Sequence, residues 1–169
     1  MDANGWNLKM ICNTHSHADH IGGNEYLQKM TNCKIYASSI ECDFTRHPIL
    51  EPAFLYGGYP FAELRHKFLL AAESDAAFLT DDMLPEGISL IPLPGHFFDM
   101  VGFNVVDNDK TVAFIADCLS SEAILEKYQI GLIYDVAKYL ETLEKVKNLE
   151  ADIFVPTHAN PTENIAPLA

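Results

Sequence analysis

Four short apolar runs in this chain each stop at a histidine or an aspartate. "LKMIC" (8–12) leads into "NTHSHADHIGG" (13–23), and "GISLIPL" (87–93) breaks at Pro94, Gly95 and His96. "TVAFIA" (111–116) ends at Asp117, and "DIFVP" (152–156) ends at Thr157 and His158. Short continuous apolar runs of this kind read as buried strands. Polar residues at strand exits sit where α/β proteins build sites on a rigid frame. The pattern therefore constrains the fold to α/β (α+β), with strands that deliver their chemistry at their ends.

Between these runs the chain alternates. The apolar positions Ile21, Tyr26, Leu27 and Met30 predict a helix from Asp19 to about Met30, and "CKIYA" (33–37) predicts a strand. Residues 38–47 predict a helix capped by Ser38 or Ser39 and stopped before Pro48. Residues 48–62, rich in Pro, Gly and aromatics, read as a loop, and 62–72 as helical. Residues 100–107 and 110–117 predict an antiparallel hairpin turning at Asn108 and Asp109. Residues 135–150 predict the clearest helix, with Val136, Leu140, Leu143, Val146 and Leu149 on one face and Glu141–Lys145 as an i,i+4 pair. No internal repeat is visible.

Composition removes several functions. With 24 acidic against 11 basic residues the net charge is −13, which repels phosphate backbones, so a nucleic-acid partner is disfavoured. The longest apolar runs fall far short of the ~20 residues of a membrane span. No secretion signal is visible at the N-terminus, so the expected compartment is the cytoplasm. The four cysteines, Cys12, Cys33, Cys42 and Cys118, lack a CxxC pair and read as reduced, mostly buried thiols. At 169 residues the expectation is one domain covering 1–169.

The chemistry concentrates in residues 15–20. Residues two apart in an extended chain point to one side, so His15 and His17 can present two imidazoles to one metal. Once the chain turns, Asp19 and His20 point elsewhere and can serve a second. Mixed imidazole and carboxylate ligation suits borderline cations such as zinc. Five of the seven histidines lie at strand ends. His47 and His66 lie away from them and read as surface residues. Thr14 and Thr157, each before a candidate ligand, are second hydroxyl supports or plain turn residues. Strand alternation turns Cys118 away from Asp117's side. Tyr56, Tyr59 and Phe61 either roof a pocket or pack in a core, and Asp99 either walls the site or is solvated.

"THSHADHIGG" resembles the HxHxDH signature of the metallo-β-lactamase-fold hydrolases, and "LPGH" with His96, "AD" with Asp117 and "VPTH" with His158 are similar to that family's later motifs, in the same order. The match is nearest to the glyoxalase II-like branch. The resemblance implies an αββα sandwich, incomplete here: only thirteen residues reach Asn13, and eleven follow His158. The expectation is a domain truncated at both ends. It implies that His15, His17 and His96 hold one divalent metal ion, and Asp19, His20 and His158 the other, with Asp117 bridging; zinc is expected, with iron or manganese as alternatives. Asp19 and Asp117 are the implied catalytic residues, acting with a two-metal-bridged hydroxide on a small-molecule thioester, ester or lactone. Two alternatives stand beside the hydrolase: an iron-dependent redox member of the same fold, and a truncated, inactive metal-binding module. Exposed sheet edges in a truncated chain predict a homo-oligomer or swapped dimer.

Overall fold

The computed structural model describes residues 4–168. The chain divides into two compact units, Met1–Leu79 and Thr80–Ala169.

The first unit is built on three short strands, β1 (Met10–Cys12), β2 (Lys34–Ala37) and β3 (Ala76–Phe78), parallel and in that order. Parallel neighbours need long crossovers, and here they are helical. The first carries α1 (Ala18–Ile21) and α2 (Asn24–Thr31); the second carries α3 (Ser39–Arg46) and α4 (Leu50–Tyr56). The helix predicted from Asp19 to Met30 is thus two, parted at Gly22 and Gly23. A Cβ on Gly22 would stand 2.7 Å from the Ala18 carbonyl oxygen, so the tight junction needs glycine. Asn32, left-handed at φ 54°, ends α2 with its N–H on the Gln28 carbonyl. Ile35, Ala37, Cys42 and Ala76 form the core of this unit, with Ile11 against it. Arg46 Nε donates to the Ala76 carbonyl at 2.7 Å and ties α3 to β3.

Two sequence expectations fail in this unit. Residues 50–56, inside the predicted loop, are helical: Pro52 sits in the first turn, where an N–H has no intrahelical partner to lose, and Gly57 at φ 71° closes the end. Residues 62–72 form no α-helix: they hold a 3₁₀ turn, Ala62–Leu64, and an isolated turn in which Leu69 and Leu70 N–H donate to the His66 carbonyl. A short helix needs an apolar face to bury, and Phe68 there is 69% exposed.

The second unit is a four-stranded sheet in the order β4 (Ile88–Pro92), β5 (Val101–Asp107), β6 (Lys110–Ala116), β7 (Ile153–Pro156). The first three are antiparallel; β6 and β7 are parallel. The predicted hairpin is present, with Asp107 opposite Lys110 and both Asn108 (φ 48°) and Asp109 (φ 64°) left-handed. That is the turn whose twist suits a two-residue hairpin. The β6–β7 crossover carries α5 (Glu122–Tyr128) and α6 (Val136–Lys147). The Asp135 carboxylate caps α6 by accepting from Lys138 N–H at 3.0 Å.

Of the predicted α6 stripe, Val146 is buried and Leu143 and Leu149 pack on a core that includes Ile91, Leu93, Ile115 and Phe154. Each such fully buried aliphatic is worth roughly 1.5–3 kcal/mol. Val136 and Leu140 instead stay exposed. The predicted Glu141–Lys145 pair is replaced: Glu141 pairs with Lys138, and the Lys145 ammonium donates to the Pro92 carbonyl at 2.9 Å. Among the described residues, no helix is long and apolar enough to cross a membrane.

Candidate metal centre

In the first unit β1 delivers the chain into Asn13–Ser16, and α1 begins at Ala18 before the histidines are finished. His15 is fully buried and His17 nearly so. His15 Nε2 lies 3.0 Å from His17 Nδ1, and the rings meet edge to face at 4.6 Å. The His20 ring lies over His15 at 3.9 Å between centroids. Asp19 is half exposed, with Oδ2 3.6 Å from His20 Nε2. The Thr14 hydroxyl is 3.1 Å from His15 Nδ1, the supporting contact that was one of the two roles open to it. Asn24 Nδ2 donates to the Asn13 side-chain oxygen at 2.8 Å and pins the loop to α2.

The second unit brings three residues from three strand exits together. Ala116 is left-handed at φ 49° beside a register irregularity in the β6–β7 pairing. Such a bulge re-aims the residue that follows it, here Asp117. Its Oδ2 faces His96 Nε2 at 3.5 Å and His158 Nε2 at 3.2 Å, with the carboxylate almost wholly buried. One carboxylate oxygen thus lies within reach of two imidazoles from separate strand exits. His96 owes its place to Gly95 at φ 124°, where a Cβ would stand 2.3 Å from the Tyr139 nitrogen. The Tyr139 hydroxyl donates to the Cys118 carbonyl at 2.9 Å. Thr157 is exposed and donates its N–H to the Ala116 carbonyl, the turn role.

The donor atoms suit a borderline cation. A tetrahedral ion at ~2.0–2.1 Å from each ligand holds neighbouring donors roughly 3.3 Å apart. The observed 3.0, 3.2 and 3.5 Å separations bracket that distance. Imidazole nitrogens with carboxylate oxygens match zinc or iron better than magnesium or calcium.

Several other side chains take definite roles. Burial drives the Glu51 carboxyl up to about 8 against an ordinary value of 4.5, opposed by the nearby Ala18 backbone amide and reinforced by the charges of Asp19 and Glu41. Burial, then the Asp117 carboxylate, pushes the Cys118 thiol up to about 12; it lies in the hydrophobic core. Tyr139 is raised by burial, then by Cys118 and Asp117. His47, His66 and Asp99 are exposed. Tyr56, Tyr59 and Phe61 are exposed too, which removes the core-packing role for them. Sequence reasoning overlooked Glu41, Glu51 and Tyr139. The available signal was an acid on a buried helix face, since Glu41 shares it with Cys42 and Thr45.

Residues 2–158 match the profile of the metallo-beta-lactamase superfamily, and the chain belongs to that superfamily. Among curated relatives, the hydroxyacylglutathione hydrolase of Prochlorococcus marinus (strain MIT 9301) is 27% identical over 158 residues, covering 92% of this chain and 52% of the relative. The chain thus spans about half the length of that relative. Among solved structures, the di-iron-bound form of TTHA1623 aligns at a TM-score of 0.67 with 20% identity, over 96% of this chain and 75% of that one. BJP-1, a subclass B3 metallo-beta-lactamase of Bradyrhizobium japonicum, aligns at 0.59 with 21% identity, over 89% and 56% respectively. The fold is that of the metallo-β-lactamase superfamily.

Proposed function

We propose that this chain carries the metal-binding part of a hydrolase that cleaves a small thioester, ester or lactone, with His15, His17 and His96 for one divalent ion, Asp19, His20 and His158 for a second, and Asp117 shared. The assignment takes its ligand sets from the order of the superfamily's motifs along the chain. The observation that supports it best is Asp117, whose single oxygen serves two histidines from separate strand exits.

Bound there, two zinc ions would acidify water and polarise the acyl oxygen. The remaining work falls to the chain itself. Asp19, half exposed beside His20, can carry a proton from the attacking water to the leaving group. A pocket of about 240 Å³ in the second unit is lined by His96, Asp117 and His158 on one side and by Leu119, Ile124 and Leu132 on the other. Among the described residues, no lysine or arginine lines it. That volume falls below the roughly 300–1,000 Å³ of drug-sized sites and fits a small acyl group.

Metal analysis with a panel of thioester, lactone and phosphodiester substrates tests the proposal. The expected result is close to two zinc ions per chain and turnover of a thioester or lactone that His17→Ala abolishes. Stoichiometric iron with oxygen-dependent turnover and no hydrolysis would overturn it. That second reading, an iron-dependent redox protein, draws support from the similarity to the di-iron-bound TTHA1623.

A further inference from the structure

The residues between the proposed ligands are held as firmly as the ligands. Ser16 stands between His15 and His17, and Ala18 between His17 and Asp19. Neighbours in an extended chain point opposite ways, so a segment that sends His15 and His17 to one side sends Ser16 to the other. There it meets Glu41 of α3: the Ser16 N–H donates to Glu41 Oε2 at 2.9 Å, and the Ser16 hydroxyl donates to the same oxygen at 2.5 Å. Glu41 is 0% exposed and Ser16 1%.

A buried carboxylate is expensive, and a well-packed apolar side chain in its place is often neutral or stabilising. What the carboxylate adds is directionality. Charge-assisted hydrogen bonds are roughly twice as strong as neutral ones and fix the groups they join. Here the acceptor grips the histidine motif itself, through both the backbone N–H and the hydroxyl of Ser16. Packing α3 onto β2 needs no such contact, since Cys42 already supplies it.

We infer that Glu41 is a positioning residue for the metal centre, setting the directions of His15 and His17 through Ser16. The inference rests on the two-metal reading above. Its effect reaches the metal through the ligands it orients, as outer partners of metal ligands do.

The test compares the full chain with its Glu41→Gln and Ser16→Ala variants by zinc affinity in competition with a chromophoric chelator, and by the visible spectrum of the cobalt(II) forms. Glu41→Gln keeps the side-chain shape and removes the charge. It is expected to weaken zinc binding 10–100-fold, the usual cost of losing an outer partner. It should also shift the cobalt bands, with circular dichroism and thermal midpoint retained. Ser16→Ala should move both readouts the same way by less. A folded Glu41→Gln chain with affinity and spectrum within twofold of wild type overturns the inference. Where that variant does not fold, an indifferent Ser16→Ala variant does so. Wild-type protein that takes up neither zinc nor cobalt overturns the two-metal reading and this inference together, whereas normal wild-type uptake with indifferent variants sinks only this one.

Discussion

Asp117 is the residue on which the second unit's site turns, because its Oδ2 lies 3.5 Å from His96 Nε2 and 3.2 Å from His158 Nε2. Asp117→Asn keeps its size and removes the charge, so it should lower zinc stoichiometry below two and cut hydrolysis by about 10–100-fold or more; metal analysis on the purified variant checks this. Glu51 makes a separate prediction about pH. Its carboxyl is raised to about 8 in the folded chain from 4.5. A raised acid binds its proton more tightly when folded, so its contribution is complete below about 4.5 and is lost as pH rises toward 8. Urea unfolding of the metal-free chain between pH 5 and 8.5 should show stability falling, and Glu51→Gln should flatten that fall. Cys118, raised to about 12 and fully buried, should resist a thiol reagent at pH 8 in the native chain and react once the chain is unfolded in urea. A native chain that labels at all four thiols with equal speed contradicts the core packing.

At the scale of elements, the junctions matter more than the strands and helices they join. Gly95 combines φ 124° with a Cβ position 2.3 Å from the Tyr139 backbone. Gly95→Ala must displace either the start of α6 or the exit of β4, and it should cost about 1–3 kcal/mol in chemical denaturation. His96 moves with that junction, so zinc affinity should fall too. The same scale explains what could be read from the sequence. His15, His17, His96, Asp117 and His158 stood out because each lies just past an apolar run, whereas the full set of seven candidates came from the resemblance to the superfamily's motifs. The hairpin was legible from Asn108–Asp109, whose left-handed pair closes it. β3 was not, since "AAF" carries little β signal and becomes a strand only by pairing with β2. α4 hid behind Pro52 and Gly57, which mark a first turn and a C-terminus as readily as a loop. The helix expected at 62–72 shows the converse, a periodic pattern with no surface to bury it. Glu41 was legible only as an acid on a buried helix face; its partner lies 25 residues away, and no local pattern announces a contact of that span.

For the whole molecule, the open sheet edges bear on assembly. Among the described residues, β1 ends the first sheet, with β2 on one side only. The Lys9 carbonyl and the Asn13 N–H both face β2, accepting from Lys34 and donating to Tyr36. Alternation then turns the N–H and C=O groups of Met10 and Cys12 outward, a row that invites another strand. A second copy of the chain can fill it, and the expected solution mass by light scattering is twice that of the chain. The net charge of −13 opposes that pairing over distances comparable with the ~10 Å Debye length at 0.1 M salt, so the dimer should strengthen as salt rises. Met10→Pro removes one outward donor and leaves the β2-facing groups of Lys9, Ile11 and Asn13 in place. It should shift the mass toward the monomer while zinc uptake persists, since His15 and His17 lie beyond the strand. A wild-type chain that stays monomeric at all salt concentrations, with its metal bound, rules this mode of assembly out.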